Sequence, residues 1–481
     1  MRVLLVRPDP GNERFGLGPF FRAEPLGMEY VGAALRKRGD DVALVDLRFG
    51  ASLSRWIRRF RPELVGVAGM HALEYDGVVD VARRVKRISP ETFVLAGGHA
   101  AAAYPGPLEE DVLDAICLDD GEEIVPALVT ALEKTSPLTE VPGLLLNMKD
   151  GWVETRPPAE RTSLDVVPLP ARDLGDRWRS GYQCLLFRPA WTVETARGCP
   201  FRCRFCSVWS LYGRSQRERS IGPVVEDFAA TGPNVFIVDD LFFSSPARSL
   251  ELARALKKRG IRKRWLLAQS RTDIAARNPE LLEAWRPLAQ DFDIFFGLEA
   301  ATNEALDRVA KDLEVRETLA AAEVARAAGY GVTGNFLVDP DWEESDFHAL
   351  WNFVERHGFQ RAGYTILTPL PGTPLFDELA PVLAGQPWFK YDMHHLLWEP
   401  RLGARRFFEL YAETWRRSIL NLGGDKSLFR WMKQVRPGQM PYIARILLRT
   451  QRMMKAGAYL AEHSDACRLK ELRRLPDAEV A

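Results

Sequence analysis

The sequence predicts an α/β protein with two parallel-sheet domains in series and a helical C-terminal region. Short apolar segments alternate with amphipathic helical segments over residues 1–135, and the same alternation returns over residues 191–376. Residues 377–481 have a mainly helical pattern rich in aromatic side chains. Because alternating strands and helices favour parallel sheets with right-handed crossovers, each of the first two blocks is expected to form its own parallel sheet.

The first domain is predicted to be doubly wound and Rossmann-like. Its loops Gly97–His99 and Asp119–Glu123 follow predicted strands. They are therefore expected at the carboxyl edge of the sheet, where open α/β sheets bind ligands. No Gly-x-Gly-x-x-Gly follows the first strand, so a dinucleotide site is not predicted. The predicted strands are residues 2–7, 41–46, 63–69, 92–98 and 115–118.

A connector is predicted over residues 136–190. Residues 143–155 have the pattern of a hairpin with a turn at Asp150-Gly151. Residues 191–376 are then predicted to form a partial (β/α)6 barrel, in which the loops that follow the strands carry the chemistry. The six barrel strands are predicted at residues 191–195, 234–240, 264–271, 292–299, 331–339 and 362–367.

Three cysteines, Cys199, Cys203 and Cys206, follow the first predicted barrel strand with the spacing Cys-x3-Cys-x2-Cys. Zinc prefers four ligands, and a disulfide framework needs an even number of cysteines. Three thiolates on one short loop suit a cubane iron–sulfur cluster whose fourth iron stays open to a small chelating ligand. A three-cysteine zinc site, or three cysteines without a shared role, is the alternative.

Composition narrows the class of protein. Lys and Arg together number 65, as do Asp and Glu, so the formal net charge is zero, which argues against a nucleic-acid-binding protein. The remaining cysteines, Cys117, Cys184 and Cys467, are scattered. Free thiols and an oxidation-sensitive cluster favour a cytoplasmic location. The apolar N-terminal run is too short for a signal peptide or a spanning helix.

The cysteine loop, with aromatic Phe205 before its last cysteine, resembles the signature of the radical S-adenosylmethionine (SAM) enzymes. Placed after a domain of the first type, it resembles the cobalamin (B12)-dependent members, in the group of the hopanoid C-3 methylases and the anaerobic magnesium-protoporphyrin ester cyclase. The shared elements of the first domain are Glu24–Gly27, Gly97–His99 and Asp120–Glu123. The resemblance implies a 4Fe-4S cluster on the three cysteines, SAM on its open iron, and cobalamin held by Gly97, Gly98, His99 and Glu122.

Contacts to SAM are expected at the carboxyl ends of the barrel strands. Asp239 and Asp240 end the second strand and are expected to accept hydrogen bonds from the amino group of SAM or from substrate, with capping of the next helix as the alternative. Ser270 and Arg271 end the third strand and suit the carboxylate or ribose of SAM, because arginine offers a rigid fork of donors.

Two further residues are assigned by the resemblance alone. Glu299, in Gly297–Ala300, matches a Gly-Ile-Glu-Ser position of the family that lies near SAM, and Asn335 is expected near the ribose. Asp339–Trp342, after the fifth strand, departs from the family's Gly-x-Pro-Gly-Glu-Thr loop and looks like the loop of the hopanoid C-3 methylases.

The axial ligand of cobalt is a second departure. None of the seven histidines lies in the Asp-x-His-x-x-Gly motif that supplies this ligand in many B12 proteins. His71 and His99 are outside candidates, and loop or capping roles are expected for both.

The resemblance implies C-methylation: a 5′-deoxyadenosyl radical activates a carbon–hydrogen bond and methylcobalamin supplies the methyl group, with a polycyclic lipid such as a hopanoid as the expected substrate. A cyclase or oxidoreductase without methyl transfer is one alternative, and a cofactor-binding or sensing protein without turnover is another. An external electron donor of the flavodoxin or ferredoxin type is expected.

The C-terminal region allows two interpretations. Residues 426–455 contain eight Lys or Arg and no Asp or Glu, with apolar residues between them. A basic amphipathic helix of this kind binds anionic membrane surfaces, which predicts peripheral contact with the inner face of the membrane. The alternative, favoured by the helical spacing of the apolar residues, is that one face packs on the barrel while the other is solvated.

Overall fold

The structure is a computed structural model that describes residues 1–10, 20–158, 161, 163–359, 361–420 and 440–463. The described residues form two large sheets, each with its own hydrophobic core, and two short two-stranded sheets, Phe21–Arg22 with Gln183–Cys184 and Ala196–Arg197 with Arg217–Glu218. The C-terminal region packs against both cores: its helices contact the barrel core, and residues 388–398 contact the core of the first domain. None of the described helices is both long and apolar enough to cross a bilayer.

The first sheet has seven strands. The first five, numbered along the chain, are parallel in the order 2-1-3-4-5, which confirms the predicted doubly wound domain. The hairpin that the sequence places in the connector extends this sheet instead, antiparallel to the fifth strand, because Leu144 and Leu146 bury their side chains in the first core. The strands are Arg2–Arg7, Asp41–Asp46, Leu64–Ala68, Phe93–Gly97, Ala115–Cys117, Leu144–Met148 and Gly151–Glu154.

In the described part of this domain, five α-helices connect the parallel strands or follow the last of them. Helix Leu26–Arg38 ends at Gly39, whose φ of 99° suits a left-handed helix cap. The five helices are Leu26–Arg38, Leu53–Phe60, Tyr75–Ile88, His99–Ala103 and Gly121–Lys134.

The second sheet is a half-barrel. Its six strands are all parallel and lie in chain order, as predicted. The strands are Trp191–Val193, Asn234–Ile237, Lys263–Ser270, Ala289–Glu299, Gly331–Val338 and Gly363–Ile366. The α-helices of this part are Val208–Tyr212, Ile221–Ala230, Pro246–Lys258, Thr272–Arg277, Pro279–Trp285, Asn303–Arg308, Val315–Ala327, Glu344–His357 and Pro374–Leu383.

The C-terminal region joins the two domains. Trp388 packs edge-on against Tyr75 of the first domain, with ring centroids 4.9 Å apart, while Thr414 accepts a hydrogen bond from Trp351 Nε1 of the barrel at 2.8 Å. The aromatic residues of this region that the structure describes are therefore largely core residues, and Trp431 lies outside the described residues. The helices are Ala404–Leu420, Met440–Met453 and Ala456–Leu460.

Candidate functional site

The cysteine loop begins where the first barrel strand ends, and the two aspartates after the second strand hold its base. Asp239 is fully buried and accepts hydrogen bonds from both the backbone N–H and the hydroxyl of Thr195, each at 2.6 Å. Asp240 accepts from the backbone N–H of Gly198 at 2.9 Å. In this structure both carboxylates therefore position the loop, which is a role that the strand pattern did not predict.

The backbone conformation and the close packing at position 198 both require glycine. Its φ of 98° lies in the left-handed region that favours glycine. A Cβ at this position would lie 2.3 Å from the carbonyl oxygen of Ser215. The residue before Cys199 therefore has to be glycine for the loop to turn against the chain at Ser215.

The three cysteine thiols lie on one partly buried loop and influence one another electrostatically. Burial raises the pKa of Cys199 and of Cys203, and it raises the pKa of Cys206 to about 12. The thiols add to this effect on Cys206 by mutual repulsion of their charged forms, whereas Arg271 and Lys311 oppose the rise at Cys203. The loop therefore holds neutral thiols that need a cation, such as cluster iron, to become thiolates.

A cubane cluster fits this donor set. Each of its thiolates binds a different iron, so the three sulfurs do not have to converge on one point. Among the residues that the structure describes, no three His, Cys, Asp or Glu side chains converge as the ligands of a single metal ion would. Cys199, Cys203 and Cys206 would hold the cluster. Arg271 and Lys311 beside the loop would offset the negative charge of the cluster with its three thiolates.

Arg271 contacts the cysteine loop directly. Its guanidinium lies over the ring of Phe201, with 3.6 Å from Cζ to the ring centroid. Its three nitrogens donate to Asp273 Oδ1 and to the carbonyl oxygens of Lys311 and Asp312, each at 3.0 Å. Three of its five N–H donors are thus used within the protein, and its contact with SAM stays a prediction.

Glu299 forms a buried ion pair that the sequence did not reveal. Lys311 Nζ donates to Glu299 Oε1 at 2.7 Å, and both side chains are less than a tenth exposed. Burial disfavours the charge of Lys311, but Glu299 and Cys203 outweigh it and raise the pKa of Lys311. Glu299 is thus held in an ion pair beside the cysteine loop, where the resemblance places SAM.

The other two predicted SAM contacts have partners inside the barrel. Ser270 is buried, and its hydroxyl donates to the carbonyl oxygen of Arg271 at 3.2 Å. Asn335 Nδ2 donates to Thr365 Oγ1 at 2.6 Å. Both lie at or near the carboxyl end of the half-barrel, and their contacts with SAM stay predictions.

The first domain binds the cysteine loop at its start. Arg197, two residues before Cys199, donates to Asp120 Oδ1 and Glu122 Oε1 of the first domain, both at 2.7 Å, and to Glu194 at 2.8 Å. Burial raises the pKa of Glu122, while the cations beside Asp120 outweigh burial and lower the pKa of that carboxyl. Glu122, predicted to bind cobalamin, therefore serves the domain interface in this structure.

The first domain also binds the loop at its end. His99 Nε2 lies 2.7 Å from Oγ of Ser207, the residue after Cys206. Burial, with His71 nearby, lowers the pKa of His99 to about 4, so this imidazole is neutral at physiological pH. His99 is thus committed to Ser207 rather than free to be an axial ligand.

The carboxyl edge of the first sheet suits a flat ligand. Gly69 N–H donates to the carbonyl oxygen of Gly97 at 2.6 Å, and a Cβ on Gly98 would lie 2.8 Å from the carbonyl oxygen of Gly69. Met70 beside them is 42% exposed. An edge without side chains at its glycines, next to an exposed apolar group, fits the close approach of a corrin ring. Residues 69–72 and 97–99 would hold it.

Sequence reasoning missed Arg197, Ser207 and Lys311. Arg197 and Ser207 flank the cysteine motif directly, so their position was a signal that was available. Nothing in the sequence around Lys311 marked it, because its pairing with Glu299 and its approach to the cysteine loop depend on how the intervening segment folds.

The cysteine loop lies at the carboxyl end of the half-barrel, and the carboxyl edge of the doubly wound domain contacts both ends of the loop. This arrangement defines an enzyme that pairs a radical-generating cluster with a second, flat cofactor. Comparisons with known proteins agree. The B12 binding domain family matches residues 20–129, and the Radical SAM superfamily matches residues 193–354. The chain belongs to the cobalamin-dependent radical SAM enzymes.

Individual relatives support this family. A hopanoid C-3 methylase of Methylococcus capsulatus is 32% identical over 420 residues, covering 86% of this chain and 79% of that protein. The anaerobic magnesium-protoporphyrin IX monomethyl ester cyclase of Cereibacter sphaeroides is 28% identical, covering 83% and 67%. The solved structure of the cobalamin-dependent SAM radical enzyme OxsB, with aqua-cobalamin and SAM bound, shares the fold with a TM-score of 0.70 at 16% identity, covering 94% of this chain and 71% of that one.

Proposed function

We propose that this enzyme is a C-methyltransferase that acts on an unactivated carbon of a polycyclic lipid such as a hopanoid. The 32% identity to a hopanoid C-3 methylase over most of both chains supports this proposal. The structural observation that carries it is the attachment of the cysteine loop, at Arg197 and Ser207, to the ligand edge of the first domain. Radical formation and methyl delivery have to reach the same carbon, so the two sites have to face each other.

The chain's own residues would prepare this site. When bound, the cluster and cobalamin supply the electron that splits SAM and the methyl group that is transferred. Asp239 and Asp240 fix the loop that carries the cysteines. Glu299 presents its carboxyl group at the end of the fourth barrel strand, where it suits the amino group of SAM. An external one-electron donor of the flavodoxin or ferredoxin class completes the proposal.

The test combines cofactor analysis with product mass. Anaerobically purified and reconstituted enzyme should contain one cubane and one corrin by iron, sulfide and cobalt analysis. With reductant, SAM labelled in its methyl group, and a hopanoid extract, it should form 5′-deoxyadenosine and a lipid in which one labelled methyl group replaces a hydrogen. The triple variant Cys199→Ala, Cys203→Ala, Cys206→Ala should form neither. Cys117→Ala, a buried cysteine of the first sheet, is the matched control and should form both.

The same assay distinguishes methyl transfer from the alternative reaction classes. The relationship to the anaerobic ester cyclase supports a reaction without methyl transfer as the second candidate. A product that has lost hydrogens and gained no label would favour the cyclase class. A reduced enzyme that releases no 5′-deoxyadenosine under any condition would favour a sensing protein.

Peripheral membrane contact is part of the proposal, because a lipid substrate has to be taken from a bilayer. Helix Met440–Met453 carries three arginines and no acidic residue. Leu447 and Leu448 on this helix are 58% and 65% exposed. Exposed leucines beside arginines suit an anionic lipid surface.

Vesicle sedimentation tests the membrane contact. The enzyme should sediment with anionic vesicles and much less with neutral ones, and Leu447→Gln with Leu448→Gln should weaken sedimentation. Met148→Gln is the control, since Met148 is 46% exposed on the hairpin of the first sheet. If sedimentation falls equally in both variants, helix Met440–Met453 is not the element that contacts the membrane.

A further inference from the structure

A buried lysine approaches the cysteine loop from the turn after the fourth barrel strand. Lys311 Nζ lies 2.7 Å from Glu299 Oε1 in an ion pair whose side chains are 8% and 9% exposed. Gly297 leaves room for it, because a Cβ there would lie 2.6 Å from both Glu299 Oε1 and Lys311 Nζ. The absence of a side chain at Gly297 is therefore what allows this pair to exist.

The turn that carries Lys311 is fixed to the cysteine loop by backbone contacts. Arg204 N–H, next to Cys203, donates to the carbonyl oxygen of Val309 at 3.2 Å. Arg271 donates to the carbonyl oxygens of Lys311 and Asp312, each at 3.0 Å. Ala310 and Asp312 both have φ of 50°, in the left-handed region that is costly for residues other than glycine. These contacts fix the backbone of the segment that carries Lys311 against the cysteine loop.

The charge of Lys311 acts on the cysteine loop. Lys311 and Arg271 both act electrostatically on Cys203, and Glu299 acts on it in the opposite sense. The ammonium of Lys311 is buried and paired with Glu299, and the guanidinium of Arg271 lies over Phe201 of the cysteine loop. Two fixed positive charges thus lie beside the cysteine loop in a site with little solvent screening.

We propose that Lys311 is a positioning residue that holds Glu299 beside the cysteine loop and that its charge would favour the reduced state of a cluster bound by that loop. Reduction adds one electron, taken from an external donor of the flavodoxin or ferredoxin class, and so makes the cluster more negative by one charge. A fixed ammonium nearby stabilises the more negative state. This inference rests on the cluster and not on methyl transfer, so it survives if the substrate or the reaction class proves different.

Redox titration of the reconstituted cluster, without SAM or substrate, tests the inference. In Lys311→Met the midpoint potential should become more negative, with at least a tenfold lower ratio of reduced to oxidised cluster at a fixed solution potential, which corresponds to about 59 mV for one electron. Lys311→Arg should stay close to the parent. The double variant Lys311→Met, Glu299→Gln should show a smaller shift in the same direction, since it leaves no buried carboxylate without its partner.

Lys263→Met is the matched control. Lys263 is also a buried barrel lysine, but it lies at the start of the third strand, away from the cysteine loop, and donates to the carbonyl oxygens of Phe228 and Thr231 at 2.8 Å. Its loss should lower stability without moving the potential. If Lys311→Met and the double variant both load a full cluster and keep the parent's potential, the inference is wrong. If Lys311→Met does not load a cluster, the midpoint potential of the double variant is the test. A more negative potential supports the inference, and the parent's potential contradicts it.

Discussion

His99 of the first domain and Ser207 of the barrel lie 2.7 Å apart, from Nε2 to Oγ, although 108 residues separate them in the chain. His99 follows the fourth strand of the first sheet, and Ser207 follows the last cysteine of the loop. Together with Arg197 at the start of the loop, this contact ties the two ends of the cysteine motif to the ligand edge of the other domain. The distance between the two cofactor sites is therefore set by protein contacts.

Ser207→Ala should remove the contact between His99 and Ser207 without preventing cluster binding. A hydrogen bond of this kind contributes about 1 kcal/mol to stability, so the free energy of unfolding in urea should fall by about that amount. Iron and sulfide content should stay unchanged, while the yield of methylated product per 5′-deoxyadenosine should fall. Ser54→Ala, which removes an exposed hydroxyl on the far helix, is the control. An unchanged product ratio would show that the tie does not align the two sites.

Arg197→Met should be far more damaging. It leaves Asp120, Glu122 and Glu194 without the guanidinium that they share in a buried site. Removing one partner of a buried ion pair costs about 3–5 kcal/mol, and denaturant unfolding should show a loss of that size. Arg36→Ala is the control, because Arg36 and Asp173 form an ion pair whose side chains are 38% and 62% exposed. The free energy of unfolding of this variant should fall by less than about 1 kcal/mol. Equal losses would contradict the assigned role of Arg197.

Gly198→Ala should abolish cluster loading. The new Cβ would collide with the carbonyl oxygen of Ser215 at 2.3 Å, on a residue whose φ is 98°. Gly213→Ala separates the collision from the backbone conformation, because Gly213 has a φ of 68° but no atom within 4 Å of the methyl group that alanine would add. That control should cost about 1–2 kcal/mol and still bind iron. Iron content after reconstitution is the measurement.

Stability should depend on pH through Asp239. Burial raises the pKa of Asp239 from 3.8 to about 7 in the folded protein. Between these values the folded chain holds a proton that the unfolded chain releases, so this group makes stability fall as pH rises from about 4 to about 7, by up to about 1.4 kcal/mol per pH unit. Above about pH 7 its effect is constant.

Asp239→Asn removes this titration while keeping the shape of the side chain. The free energy of unfolding, measured in urea from pH 5 to pH 8, should therefore depend less steeply on pH in this variant than in the parent. Parallel curves for the two proteins would mean that Asp239 titrates well below this window.

The strand pattern and the cysteine spacing were readable from the sequence because both are local properties. Apolar runs of four to eight residues between helices predict buried parallel strands, and all six barrel strands lie where these runs occur. The hairpin at residues 144–154 was recognised as a hairpin, but its pairing with the first sheet was not. Its partner strand is decided by which core buries Leu144 and Leu146, and a local pattern holds no information on that.

The sequence by itself determined the α/β fold class, the order of the two domains, and the loop of Cys199, Cys203 and Cys206 as the centre of the chemistry. Only the tertiary structure decided that Asp239 and Arg271 brace that loop, that Glu122 and His99 bind it from the other domain, and that Lys311 stands beside Cys203. The physical reason is distance along the chain: these contacts join ends of strands that are far apart in sequence. The contacts of Asp239, Arg271 and Lys311 form when the barrel strands pair, and those of Glu122 and His99 form only when the two domains pack together.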